Sequence, residues 1–221
     1  MRSVTWGARL SAAAVGAAAV VAAVLSVLLV RSLWPADAPV PPDFGAPPGA
    51  RESAAARNEG RSAAENRSGP VPEPTALRVP QVSLHTRVKD VGVEDDGTVE
   101  VPDDTGESGW YRYGPAPGAS AGSAVLVGHV DDRDGNLGAF AKLYKVRKGD
   151  EVTVARKDAP PVRYEVAARE VLDKDRLPGE VFRRHGRPVL TLVTCAPPYE
   201  PARGGYQRSL LVYAVPAHER G

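Results

Sequence analysis

The longest unbroken apolar stretch is residues 11–30, SAAAVGAAAVVAAVLSVLLV, which carries neither charge nor proline. Twenty residues at about 1.5 Å each span about 30 Å, the hydrocarbon thickness of a bilayer. The pattern therefore predicts a transmembrane helix. Trp6 and Trp34 flank it, and Arg2 and Arg9 precede it. Aromatic rings at the headgroups and basic residues on the short side predict a cytoplasmic segment 1–10 and an external remainder. Ala36-Asp37-Ala38 offers a signal-cleavage site, but the apolar run is longer than a usual signal core, so a retained anchor is expected.

Residues 31–75 change to Pro, Ala, Gly, Ser and scattered charge, with almost no large apolar side chain. Such a segment buries too little surface to offset its ordering entropy and is expected to be a disordered tether. From residue 76 onward the pattern is that of strands. Val79–Val88 and Val91–Glu94 are short apolar runs, and Asp95-Asp96-Gly97-Thr98 supplies a turn before Val99–Val101;. Ser123–Val130, Glu151–Ala155, Val162–Val171, Pro188–Thr194 and Ser209–Val215 follow, each bounded by Gly, Pro or charge. Leu137, Phe140, Ala141 and Tyr144 recur at helical offsets, so Leu137–Val146 is expected to be a helix;. About eight short strands and one helix predict an all-β barrel or sandwich over residues 76–221.

Charge narrows the function classes. The 28 basic and 27 acidic residues nearly cancel, and three of the basic ones, Arg2, Arg9 and Arg31, lie in the acid-free first 34 positions. The rest of the chain is slightly acidic, which argues against a nucleic-acid partner. A single cysteine, Cys195, excludes an intrachain disulfide and a Cys-rich zinc module;. The acidic loop Asp131-Asp132-Arg133-Asp134-Gly135 fails as a calcium loop, because fitting Gly135 to the sixth position puts Val130 and Ala141 where carboxylates are required;. Asn66-Arg67-Ser68 matches a glycosylation acceptor, a triplet too short to carry weight;.

Three residues sit where chemistry could be placed. Cys195 ends the apolar run 189–194 and precedes Ala196-Pro197-Pro198, where the strand is expected to stop because proline cannot donate to a ladder;. It is either a thiol facing a loop or a small buried hydrophobe. His129 ends the apolar run 124–128 in the same way, and taken alone it could equally be a structural histidine;. Arg208 leads into the last strand, thirteen residues after Cys195, where its fork of donors could reach solvent or an oxyanion;.

Together these residues resemble the sortases, membrane-anchored cysteine transpeptidases of Gram-positive bacteria. Thr191-Leu192-Val193-Thr194-Cys195 fits the Thr-Leu-x-Thr-Cys signature, Ala124–His129 fits the strand ending in Gly-His, and Arg208 stands at the position of the family's arginine. The stretch Leu137–Asp150 is most similar to the actinobacterial class F group. After the cysteine, Ala196-Pro197-Pro198 departs from the polar pair of many relatives, and no acidic cluster matches the calcium site of some of them.

The resemblance implies a closed eight-stranded barrel and a catalytic set of Cys195, His129 and Arg208, with no cofactor and no metal. It implies cleavage of a Leu-Pro-x-Thr-Gly-like sorting signal on surface proteins and transfer of the threonine carboxyl to a peptidoglycan amine. Thr194, Leu177 and Val181, the last two in the segment Leu172–Arg187, are the expected substrate-binding residues. Two other readings stay open: a tethered, non-catalytic β-domain that binds cell-wall polymer or a surface protein, and a thiol hydrolase of the same peptides. A papain-like protease fits less well, because that family places its cysteine before its histidine.

Overall fold

The computed structural model describes residues 40–48 and 71–217. The expected transmembrane segment 11–30, its flanking residues, most of the expected tether and His218 lie outside the described residues. Among the described residues no helix is long and apolar enough to cross a membrane.

Eight strands form one closed barrel: β1 (Pro74–Val79), β2 (Leu84–Val91), β3 (Ser108–Tyr111), β4 (Ser123–Gly128), β5 (Glu151–Arg156), β6 (Ala159–Asp173), β7 (Val189–Glu200) and β8 (Gly205–Pro216). The order around it is β1-β2-β3-β4-β7-β8-β6-β5, and β5 pairs back with β1. The pairs β2/β3 and β4/β7 are parallel and the rest antiparallel. Closure leaves the barrel interior to Leu77, Leu84, Leu126, Leu190, Leu192, Leu210 and their neighbours. A second apolar cluster, including Val125, Val127, Val189, Leu211 and Tyr213, lies on the other face of β4, β7 and β8. It is covered by the connection from β6 to β7 through Leu177, Val181 and Phe182. All six residues of β4 are buried because both its faces are covered;.

The all-β expectation holds, with local differences. The run Val79–Val88 is two strands, because Pro80 opens a 3-10 turn (Pro80–Val82) that ends at Ser83 with φ +54°. The turn at Asp96-Gly97 forms as expected: Gly97 has φ +87°, and Asp96 accepts hydrogen bonds from the Thr98 amide and hydroxyl at 2.9 and 2.6 Å. The expected helix is a 3-10 helix, Ala139–Lys145. Phe140 and Leu143 point inward three residues apart, the period of that helix, whereas Leu137 is exposed;. Four more short 3-10 turns lie at 80–82, 174–176, 179–182 and 201–203, more helical turns than the pattern predicted.

β7 does not stop at the prolines. It runs to Glu200 with its register shifted between Ala196 and Tyr199, so Pro197 and Pro198 occupy the irregularity, where no ladder amide is needed;. Part of the segment expected to be a disordered tether is docked: Phe44 forms a β-bridge with Arg169 of β6, with N–O distances of 3.0 and 2.9 Å.

Candidate active site

The order β4-β7-β8 brings the three sequence candidates to one end of the barrel. In the parallel pair β4/β7, Val127 lies opposite Val193, so His129 and Cys195, each two residues further on, are level. In the antiparallel pair β7/β8, Cys195 faces Ser209 and Ala196 faces Arg208. Thr194 fastens the first pair: its buried hydroxyl donates to the Gly128 carbonyl at 2.8 Å, one residue before both His129 and Cys195. Gly128 itself is required by close approach, since a Cβ there would lie 2.7 Å from the Phe140 ring;. A strand that ended in any other residue would push away the 3-10 helix and shift the histidine.

His129 is half-buried, and its Nε2 is 3.0 Å from the Pro102 carbonyl oxygen. A carbonyl only accepts, so Nε2 carries the hydrogen and Nδ1 is the nitrogen free to exchange a proton when the ring is neutral. The Cys195 carbonyl accepts a hydrogen bond from the Tyr144 hydroxyl at 2.9 Å, which holds the backbone of the cysteine against the 3-10 helix. Although the Cys195 side chain reaches solvent, the packed surroundings of its sulfur push the thiol above its ordinary pKa, the Asp131 carboxylate pushes it further, and Lys174 opposes both;. The resting thiol is therefore protonated at neutral pH and needs a base or a bound substrate to activate it. Nε of Arg208 donates to the Pro197 carbonyl, which fixes the side chain and leaves its two terminal nitrogens to recognise something else;. Arg208 also lines a polar pocket of about 360 Å³ with Asp173, Asp175, Arg176, Glu200 and Gln207.

The expected substrate-binding residues divide. Leu177 is half-buried and packs against the outer cluster. Val181 is 2 % exposed and belongs to that cluster, so it supports the β6–β7 connection and cannot line an open slot, contrary to expectation. Thr194 is 4 % exposed and its hydroxyl is committed to Gly128, so it positions the site from beneath and does not face a ligand.

Other contributors are not marked by the pattern. Asp132 behaves as the solvated loop residue expected, accepting from the amides of Asp134 and Asn136. Asp131 does not: its Oδ2 accepts a 2.5 Å hydrogen bond from the Tyr206 hydroxyl across 75 positions of sequence. Burial first, and then this carboxylate, raise the Tyr206 hydroxyl far above its usual range. Asp131 lies two residues after His129 and Tyr206 two before Arg208, a mirrored spacing that was the one available hint. Among the described residues no three His, Cys, Asp or Glu side chains are grouped to hold a metal ion.

A family model described as Sortase domain matches residues 77–217 of the chain. No curated protein matches. Among solved structures, a pilus-related sortase C of Group B Streptococcus is 18% identical, with 69% of this chain and 71% of that chain covered and a TM-score of 0.51. The pilus island 1 sortase C2 of Group B Streptococcus gives 20%, 67%, 77% and 0.50. A lid mutant of sortase A from Corynebacterium diphtheriae gives 18%, 70%, 75% and 0.50. At these identities the likeness is one of fold.

Proposed function

The chain belongs to the sortase family, and from that membership we propose that it is a membrane-anchored cysteine transpeptidase of the class F type. Its substrates are surface proteins with a C-terminal Leu-Pro-x-Thr-Gly-like signal, and its acceptor is a peptidoglycan amine. In this reading residues 1–10 are cytoplasmic, 11–30 span the membrane, and the barrel works on the outer side of a Gram-positive, actinobacterial cell. The observation that carries the reading is the level placement of His129 and Cys195 on adjacent strands with Arg208 on the next.

Cys195 attacks the threonine carbonyl of the signal, and its proton passes to Nδ1 of His129, the nitrogen not engaged by Pro102;. The terminal nitrogens of Arg208 donate to the oxyanion as charge develops there, with Nε already held by Pro197 so that little freedom is lost on binding;. His129 then protonates the departing glycine amine, which leaves a thioacyl enzyme. An incoming amine gives a proton to His129, the C–N bond forms, and the C–S bond breaks.

The test uses the full chain in detergent, wild type beside Cys195→Ala, with a Leu-Pro-x-Thr-Gly peptide panel and a glycine-based acceptor, followed by intact-mass spectrometry. The expected result is a Cys195-dependent acyl adduct that the acceptor converts to a new amide. Resolution by water alone would instead assign a hydrolase, and absence of any adduct would favour a binding domain.

A further inference from the structure

The transpeptidase reading leaves the second substrate without a recognition group. A primary amine is largely an ammonium near neutral pH, yet the cations of the site, Lys174 acting on the thiol and Arg208 opposite Ala196 on the next strand, would repel it. Asp131 is the carboxylate on the other side of the balance. It is half-buried, it is held by Tyr206, and among the described residues it forms no ion pair with Lys, Arg or His. The Asp131–Tyr206 hydrogen bond runs from the segment after His129 to the segment before Arg208, and the strand between them carries Cys195. Tyr206 donates to only one carboxylate oxygen, Oδ2, so Oδ1 keeps its capacity to accept;.

Resting on the transpeptidase reading, we propose that Asp131, oriented by Tyr206, is the recognition group for the acceptor: it binds the ammonium form of the incoming primary amine beside the thioacyl-Cys195. The step balances. The ammonium gives up two protons, one to Nδ1 of neutral His129 and one that finishes on the Cys195 sulfur, while the C–N bond forms and the C–S bond breaks. The products are the amide, the thiol and the imidazolium, with net charge conserved. A sulfur whose pKa is raised by burial and by Asp131 takes up that second proton readily.

The test reads how a preformed acyl enzyme partitions between water and an amine, so it is independent of how fast the acyl enzyme forms. The full chain in detergent is acylated with a sorting-signal peptide and offered propylamine, a cation at pH 7, or hydroxylamine, which is neutral there. Asp131→Asn is expected to lower the amide-to-acid ratio for propylamine about tenfold, the size of one charge-assisted hydrogen bond, while the hydroxamate-to-acid ratio stays at the wild-type value. Asp131→Glu restores most of the propylamine ratio, and Tyr206→Phe, which keeps the charge and loses its orientation, gives a smaller fall. Equal falls for both amines, or no change for propylamine, overturn the inference while the transpeptidase reading stands. No Cys195-dependent adduct with any peptide overturns both.

Discussion

A thiol with a raised pKa ties the site's reactivity to named neighbours. Alkylation of Cys195 by iodoacetamide, followed against pH, should rise only above the ordinary thiol range, because burial and Asp131 both disfavour the thiolate;. Removing the negative charge with Asp131→Asn moves the midpoint of that profile down, and removing the opposing cation with Lys174→Met moves it up. Below the thiol, Thr194→Val takes the donor from the buried Gly128 carbonyl and should cost about 1–3 kcal/mol in a denaturant titration;. Nitrogen-15 spectra of neutral His129 should report the Nε2–H form that the Pro102 carbonyl demands. His129, Cys195 and Arg208 were legible in the sequence because each stands at the edge of an apolar run. Asp131, Tyr144 and Tyr206 were not, since their partners are 51 to 75 positions away and only barrel closure brings them together.

Among the elements, the apolar pattern marks the strands with strong apolar content but not β3, whose four residues Ser-Gly-Trp-Tyr neither alternate nor form a β-branched run. It ended β7 too early because the rule against proline in a ladder is relaxed where the register shifts;. It also read residues 40–48 by composition as unstructured, whereas Phe44 finds an edge of β6 to pair with. Arg169 makes that pairing worthwhile. It is 6 % exposed, stacks on the Phe44 ring at 4.9 Å, and donates to the carbonyls of Pro42, Tyr144 and Val146, each at 2.9 Å. Desolvation lowers its pKa, with Asp43 opposing. The segment fits only with glycine at position 45, where φ is +71° and a Cβ would lie 2.3 Å from the Ala167 carbonyl. Gly45→Ala should release it, seen as faster hydrogen exchange at Phe44 and Arg169 and a stability loss of about 1–3 kcal/mol.

For the chain as a whole, the folded unit and the compositional boundary do not coincide. A division at residue 76 follows the change from small and polar residues to strands, but it cuts into β1, which begins at Pro74, and discards residues 40–48. The second half of β6 then loses the partner of its outer edge. The Arg169 amide and carbonyl and the Val171 amide, now paired with Phe44 and with Asp43, would stand open in a row. Unpaired strand edges join other edges. A trimmed barrel should therefore form dimers or larger species in sedimentation experiments at concentrations where a fragment beginning before Val40 stays monomeric, so residues 40–48 guard the barrel against its own copies.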